Sequence, residues 1–568
     1  MSGFQDAPFF LNDEATRWVD NTLAAMSEED MIGQLFCLIA YENDADLLRS
    51  YAEERKVGGV MCRPMPLADT DAAIKTLQDH AAIPMLIAAN LEGGGNGVVH
   101  EGCGFGSPLQ VAATDDEDMA ARLGDLCGCE GAAVGVNWTF APVADVDVNF
   151  RNPVTNTRTF GSDPDRVRRM ARRYVEAVQR HGVAACLKHF PGDGVDERDQ
   201  HLVASVNSLA REDWDRTYGA VFRAGIEAGA LTVMTGHILQ PACSRDLVPG
   251  IDDRDILPAS LSYELTTTLL KDRLGFRGLV VTDASTMAGM AVCMPRAQAV
   301  PQAIAAGNDM FLFTRNLDED FDCMREGVRS GTISPQRLRE AVGKILALKA
   351  ALQLPRKRRE GTLVPAPDMA EAVLASPERK AWIRDCADKA ITLVKEEPGV
   401  LPLSPARHRR ILLHAIESKE GFIQSVRADV ADTIRSKLET EGFAVERFDP
   451  KTGRECRMRA FRDVAAAYDL ILYLANMRTQ SNQTVVRIEW AQPMGVDVPV
   501  HVASVPTVFV SLENPYHLLD APRVRTFINT YGSNDETLDA LVEKLMGRSP
   551  FKGTSPVDPY CGMWDTRL

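Results

Sequence analysis

Cys186-Leu187-Lys188-His189-Phe190-Pro191-Gly192-Asp193-Gly194-Val195-Asp196-Glu197-Arg198-Asp199-Gln200-His201 is the stretch on which the reading of the chain turns. The apolar run Val183 to Leu187 reads as a buried strand, and it feeds directly into Lys188 and His189. Pro191, Gly192 and Gly194 then break any regular element. At the far end of the loop stand Asp199 and His201. In an extended segment, residues two apart point to the same side. The Asp199 carboxylate can therefore lie against the His201 imidazole, fixing its tautomer and raising its basicity. A solvated surface loop is the ordinary account of an isolated Asp-x-His. A basic pair at a strand end, a Pro-Gly-x-Gly turn and an Asp-x-His together ask for more than solubility.

Outward from this stretch, short apolar runs alternate with amphipathic ones. Glu28 to Phe36 begins a helix-like or strand-entry segment. Strands are predicted at Val57–Met61, Pro84–Ala89, Trp138–Val143, Val183–Leu187, Leu231–Met234, Leu279–Val281 and Met310–Phe313. Between and after them, helical patterns fall at Asp44–Glu54, Thr70–His80, Leu109–Gly128, Asp163–His181, Ala210–Ala228, Leu261–Arg273, Met294–Ala306 and Ser334–Leu352. Such alternation specifies a parallel sheet. About eight β/α units fit a (β/α)8 TIM-type barrel, which places polar chemistry just past the ends of its strands. The expected division is a barrel domain over 1–355, a linker over 356–378 and a smaller α/β sandwich domain over 379–568. The linker reading rests on the basic run Arg356-Lys357-Arg358-Arg359 followed by Pro365 and Pro367. Beyond it, Arg410–Ile416, Leu470–Leu474 and Thr507–Leu512 read as buried strands, and Val426–Glu441 and Thr537–Met546 as helices.

Composition excludes several classes of function. With 45% hydrophobic and 25% charged residues in 568, the chain has the profile of a soluble globular protein. Its net charge of -16 argues against nucleic acid and anionic membranes as partners. Met1 to Asp20 lacks the basic and apolar regions of a signal peptide, and no apolar run approaches the ~20 residues of a membrane span, so a cytoplasmic location is expected. The twelve cysteines read as free thiols of a reducing compartment. Cys127-Gly128-Cys129 lacks a second pair at metal-binding spacing, so no metal site is expected.

Lys188-His189-Phe190-Pro191-Gly192-Asp193-Gly194 followed by Asp199-Gln200-His201 resembles the Lys-His-Phe-Pro-Gly-His-Gly and Asp-Ser-His pattern of glycoside hydrolase family 3, β-N-acetylhexosaminidase branch, in its two-domain form. Two positions depart from the pattern: Asp193 stands where that family has His, and Gln200 where it has Ser. The resemblance extends to Ile32-Gly33-Gln34-Leu35-Phe36 and, less specifically, to Ala390–Lys395, Ser511–Pro515 and Gly547–Val557 beyond the barrel. It implies an acid/base dyad of His201 and Asp199, and sugar-binding roles for Lys188 and His189. Leu274-Gly275-Phe276-Arg277-Gly278 leads into Leu279-Val280-Val281-Thr282-Asp283, which resembles the segment carrying the family's nucleophile. That assigns Asp283 the nucleophile; on the local pattern alone it is equally a helix N-cap.

Further motifs add sugar ligands. Asn152-Pro153-x-x-Asn156-Thr157-Arg158-Thr159-Phe160-Gly161 resembles the family's Asn-Pro-x-Ile-x-x-Arg-Ser-Phe-Gly, so Arg158 is implied to donate a planar fork to sugar hydroxyls. Thr235-Gly236-His237 matches a histidine position of the family, leaving His237 either a pocket residue or a satisfied structural one. Asn90-Leu91-Glu92-Gly93-Gly94 stands where the family reads Asp-x-Glu-Gly-Gly, so Asn90 is a weaker, neutral sugar ligand. Val98 stands where an arginine often follows. The implied activity is hydrolysis of terminal β-linked N-acetylglucosamine by a retaining exo-glycosidase, with no cofactor. The implied substrate is a small N-acetylglucosaminide, with cell-wall fragments as one source. The alternatives are a phosphorylase, a β-glucosidase and a non-catalytic sugar-binding barrel. Oligomeric state and the natural aglycone leave no trace in the sequence.

Overall fold

The computed structural model describes residues 4–418, 429–450, 459–479, 481–482, 484, 486–491 and 495–568. The chain packs as two compact units, and neither is continuous in sequence. The first comprises Met1–Phe105, Ala120–Asn149 and Pro164–Arg379; the second comprises Gly106–Met119, Phe150–Asp163 and Lys380–Leu568.

The first unit is built on eight parallel strands: Phe36–Ala40, Gly59–Cys62, Leu86–Ala89, Trp138–Thr139, Cys186–Phe190, Thr232–Thr235, Leu279–Thr282 and Phe311–Leu312. Each pairs in parallel with the next, and the eighth pairs with the first. The link from fourth to fifth is made by the Trp138–Ala184 and Val143–Lys188 bridges, and that from seventh to eighth by Val281–Met310. A helix follows every strand, so the ring is the (β/α)8 arrangement expected from the alternation. Strands of such a ring are covered on both faces, which is why they read as continuous apolar runs.

The first strand differs from the sequence reading. Its approach, Glu28–Gln34, is a helix fixed by a Ser27/Asp30 capping box, and the strand itself begins only at Phe36. Residues 356–378 carry two helices, Leu354–Glu360 and Pro367–Leu374. Arg358 ties the first of them to the same unit by donating to the carbonyls of Gln78 (2.8 Å) and Ala82 (3.0 Å).

At the amino-terminal edge of the strands, Asp309 is fully buried and accepts the Val280 N–H at 2.9 Å. Three cations surround it: Lys271 Nζ at 3.5 Å, Lys344 Nζ at 3.6 Å, and the Arg337 guanidinium. Burial by itself would raise this carboxyl. The three cations and the Val280 N–H outweigh it and hold Asp309 well below the usual carboxylate range.

The second unit is centred on a six-stranded sheet in the order Thr392–Lys395, Thr526–Asn529, Thr507–Ser511, Leu470–Asn476, Arg410–Glu417, Ala444–Arg447. Among the described residues, only the Thr392–Lys395 edge runs antiparallel to its neighbour. Alternation divides the strands between two cores. Ile411, Leu413, Leu470, Leu472, Leu474, Val508, Val510 and Ile528 meet the helices Val430–Thr440 and Asp535–Leu545 through Ile434, Leu438, Leu538, Leu541 and Leu545. The expected helix over 426–441 is observed from Val430; positions 426–428 lie outside the described residues. On the opposite face Phe527, Phe509, Tyr473, His414 and Phe448 form a continuous ladder of stacked rings with centroids 4.2–5.6 Å apart. This unit is the smaller α/β domain. Thr392–Lys395, Thr526–Asn529 and Ala444–Arg447 are strands beyond the three expected from the sequence.

Candidate active site

The polar groups converge at the carboxyl ends of the third to seventh strands of the ring. The fifth strand delivers Lys188 and His189, whose side chains are both buried. Lys188 Nζ lies 2.6 Å from Glu92 Oε1, which comes from the loop after the third strand. His189 is held twice by Asp145, from the loop after the fourth strand. Its backbone N–H donates to Oδ1 (3.0 Å) and its Nδ1 to Oδ2 (2.7 Å). An acceptor at Nδ1 sets the tautomer and leaves Nε2 as the free end of the ring. That atom lies 3.9 Å from Asp283 Oδ2. Asp145 also accepts the Asp193 N–H at 2.7 Å, so one buried carboxylate organises both ends of the Lys188–Asp193 turn.

Asp283 follows the seventh strand directly. Its N–H donates to the Thr235 carbonyl (2.8 Å) and its Oδ1 accepts the Ala284 N–H (2.7 Å). Burial pushes the carboxyl up. The nearby imidazoles of His189, His237 and His201, with the Ala284 N–H, outweigh that and hold it below the usual carboxylate range. The residue is therefore an anion at neutral pH, 8% exposed at the mouth of the ring.

Asp199 and His201 lie together as the spacing predicts. Asp199 Oδ1 accepts both the His201 N–H (2.8 Å) and Nδ1 (2.6 Å). The Asp199 side chain is fully buried while that of His201 is 23% exposed, so a fixed carboxylate holds Nδ1 of a ring that reaches the surface. The loop is pinned beside the seventh strand's exit, with Ala288 N–H donating to His201 O (3.0 Å) and Gly289 N–H to Gln200 O (3.2 Å). Its opposite end is clamped by Trp214 Nε1–H on Pro191 O (2.7 Å) and by Tyr218 OH on Asp193 O (2.8 Å). Gly192 has φ +116°, and a Cβ there would stand 2.0 Å from the Tyr218 ring, so this close approach needs glycine.

His237 has both ring nitrogens engaged within the protein. Nδ1 meets the Ser260 hydroxyl at 2.8 Å and Nε2 donates to the Ala284 carbonyl at 2.9 Å, so neither nitrogen is left for a sugar. Burial lowers its pKa, outweighing the attraction of Asp283 and the hydrogen bond to the Ala284 carbonyl. It buttresses the Asp283–Ala284 turn. Asn90 follows the third strand, half-buried, in a turn closed by Gly97, where a Cβ would stand 1.9 Å from the Asn90 carbonyl oxygen. Val98 is fully buried. Arg158 belongs to the second unit, where it ends the turn Asn156–Arg158 and contacts the Val154 carbonyl at 3.4 Å. Its assignment as a sugar ligand rests on the motif alone.

Sequence reasoning assigned no role to Glu92, Asp145 and Ser260. Glu92 and Asp145 each sit just past a predicted strand, and Glu92 also falls on the glutamate of the Asp-x-Glu-Gly-Gly pattern. Among the described residues no group of three or more His, Cys, Asp or Glu side chains is placed to hold a metal ion, and no helix is long and apolar enough to cross a membrane.

Comparison with known proteins places this arrangement. Residues 27–348 match the model of the glycosyl hydrolase family 3 N terminal domain. The chain is 54% identical over 563 residues, 99% of each chain, to a protein of Cellulomonas fimi named beta-N-acetylglucosaminidase/beta-glucosidase. A solved beta-glucoside phosphorylase, BglX, superposes with a TM-score of 0.93 at 43% identity, covering 99% of both chains. A family 3 beta-N-acetylglucosaminidase from Paenibacillus sp. str. FPU-7 superposes with a TM-score of 0.78 at 26% identity, over 94% of this chain and 99% of the other. A family match over more than half the chain, joined to identity of this order along its whole length, establishes that the protein belongs to glycosyl hydrolase family 3.

Proposed function

We propose that the protein is a retaining exo-glycosidase that releases terminal β-linked N-acetylglucosamine. Asp283 is the nucleophile and His201, oriented by Asp199, the acid and base. Asp283 attacks the anomeric carbon, the bond to the aglycone oxygen breaks, and His201 Nε2–H protonates that oxygen. In the second step neutral His201 takes a proton from water, which attacks the same carbon and frees Asp283 with net retention. A histidine titrates near neutrality and so serves in both directions. The observation that carries this reading is a buried, anionic Asp283 in the field of His201, a partly exposed imidazole whose Nδ1 is held by Asp199. Lys188, His189 and Asn90 supply the polar walls of the sugar site. The Glu92 partner of Lys188 and the Asp145 partner of His189 hold those walls in place. The acetamido preference draws support from the Cellulomonas and Paenibacillus relatives.

His201→Ala is expected to slow glycosides of poor leaving groups by about 100-fold or more while slowing nitrophenyl glycosides far less, because only the former need a proton. Kinetics across a series of aglycones reads this, and uniform slowing would remove the acid role from His201.

Phosphorolysis is the second reading. An imidazole, unlike a carboxylate, does not repel an incoming phosphate anion, and the BglX neighbour bears the name phosphorylase. Glucosides belong in the same test, since the Cellulomonas relative is named for both sugars. Nitrophenyl N-acetyl-β-glucosaminide and β-glucoside, each turned over with and without inorganic phosphate, decide between them. Free sugar regardless of phosphate is the expected hydrolytic result. A phosphate-dependent sugar 1-phosphate would replace hydrolysis by phosphorolysis, and no turnover of either substrate would count against both readings.

A further inference from the structure

The two positions at which the chain departs from the family pattern of the histidine loop, Asp193 and Gln200, are hydrogen-bonded to each other. Gln200 Nε2 donates to Asp193 Oδ2 at 3.2 Å, and Gln200 Oε1 accepts the His237 backbone N–H at 2.8 Å. Both side chains are buried. The orientation of the amide is forced: a carboxylate only accepts and a backbone N–H only donates, so Nε2 must face Asp193 and Oε1 must face His237. Asp193 is itself anchored by its N–H on Asp145 and by its Oδ1 on the Gly194 N–H at 2.7 Å.

Gln200 lies between the two dyad residues in the chain. Its side chain points away from them, into the sixth-strand turn that carries His237, while its carbonyl accepts from Gly289 beyond Asp283. It therefore ties the loop bearing His201 to the turn buttressing Asp283, and Asp193 ties it to the fifth-strand turn bearing His189. We infer that Gln200, anchored by Asp193, is a positioning residue that sets the distance and aim of the His201 imidazole relative to the reacting bond. The inference rests on the acid/base role proposed for His201. A misplacement of the order of an ångström at a proton donor weakens transfer without removing the donor, and it acts on the substrates that need the proton.

The test uses near-isosteric replacements that keep the buried volume. Gln200→Met keeps the length and loses both hydrogen bonds. Asp193→Asn retains one acceptor oxygen where two are needed. Each is expected to lower kcat/KM for an alkyl glycoside about 10- to 100-fold, the consequence of losing a buried hydrogen bond, and for the nitrophenyl glycoside of the same sugar about 3-fold or less. KM is expected to stay near wild type, because sugar ligands are untouched. Gln200→Glu, which sets a second carboxylate against Asp193, is expected to show the same selectivity in stronger form. Equal slowing of both substrates, unchanged kinetics, or insolubility of both isosteric variants would overturn the inference, the last by assigning the pair to folding. His201→Ala measured on the same two substrates separates the causes. If it too slows both equally, the acid/base reading has failed. If it is selective and Gln200→Met is not, only the positioning role has.

Discussion

Asp283→Asn is expected to lower kcat/KM by about 10,000-fold or more, while the unfolding midpoint and circular dichroism stay at wild-type values. The asparagine oxygen still accepts the Ala284 N–H that Asp283 Oδ1 now accepts. What disappears is the charge that His189, His237 and His201 favour, and with it the nucleophile. Asp283→Ala opens the space as well. Azide, small enough to occupy it, is expected to restore turnover and to yield a glycosyl azide of inverted configuration, since attack comes from the face that the carboxylate occupied. An inert variant without azide rescue would leave Asp283 essential but not nucleophilic. A variant with near-normal turnover would remove it from the chemistry.

The largest expected effect on stability lies at the other edge of the same strands. Asp309→Asn is expected to cost about 3–5 kcal/mol, because removing one member of a buried ionic cluster leaves the others uncompensated. Here the uncompensated groups are Lys271, Lys344 and Arg337, with the Val280 N–H facing an amide. Asp309 has a depressed pKa in the folded state, so the unfolded chain binds its proton first as pH falls. Its contribution is complete above the unfolded carboxylate value of ~3.9 and is lost as pH falls through that value toward the folded one. Urea unfolding of both proteins at pH 7 and near pH 3 should show the difference between them shrinking at the lower pH. A difference that is small at pH 7 would mean that the cluster is effectively solvated. Catalytic constants of the folded variant should be unchanged, since the cluster lies at the end of the ring away from Asp283.

The ring was legible because each of its strands is covered on both sides and so reads as an uninterrupted apolar run. Val183–Leu187 ending in Lys188 and His189 is the clearest case. The first strand was obscured because the helix Glu28–Gln34 abuts it with a single residue between them. Asp199 and His201 were legible because their contact is local and set by spacing. Asp145 was not, since a carboxylate that collects donors from residues more than 40 positions away leaves no pattern around itself. His237 reads two ways in the sequence because its partners, Ser260 and the Ala284 carbonyl, lie 23 and 47 positions away. Asp193 and Gln200 each looked like an isolated departure from the family pattern. Only their mutual hydrogen bond relates one to the other.

The second unit also has a history in time. Its segments Gly106–Met119 and Phe150–Asp163 leave the ribosome long before Lys380 begins the rest of it. At roughly 5–20 residues per second, the ~200 intervening residues take about 10–40 s to synthesise. Leu109 and Ala113, fully buried in the finished protein beside Tyr531 and Val557, wait longer still, because those neighbours follow roughly 420–450 residues later, about 20–90 s at the same rate. Vectorial synthesis thus gives the nascent chain an interval in which these apolar side chains lack their final packing, and in which a holding chaperone would find something to hold.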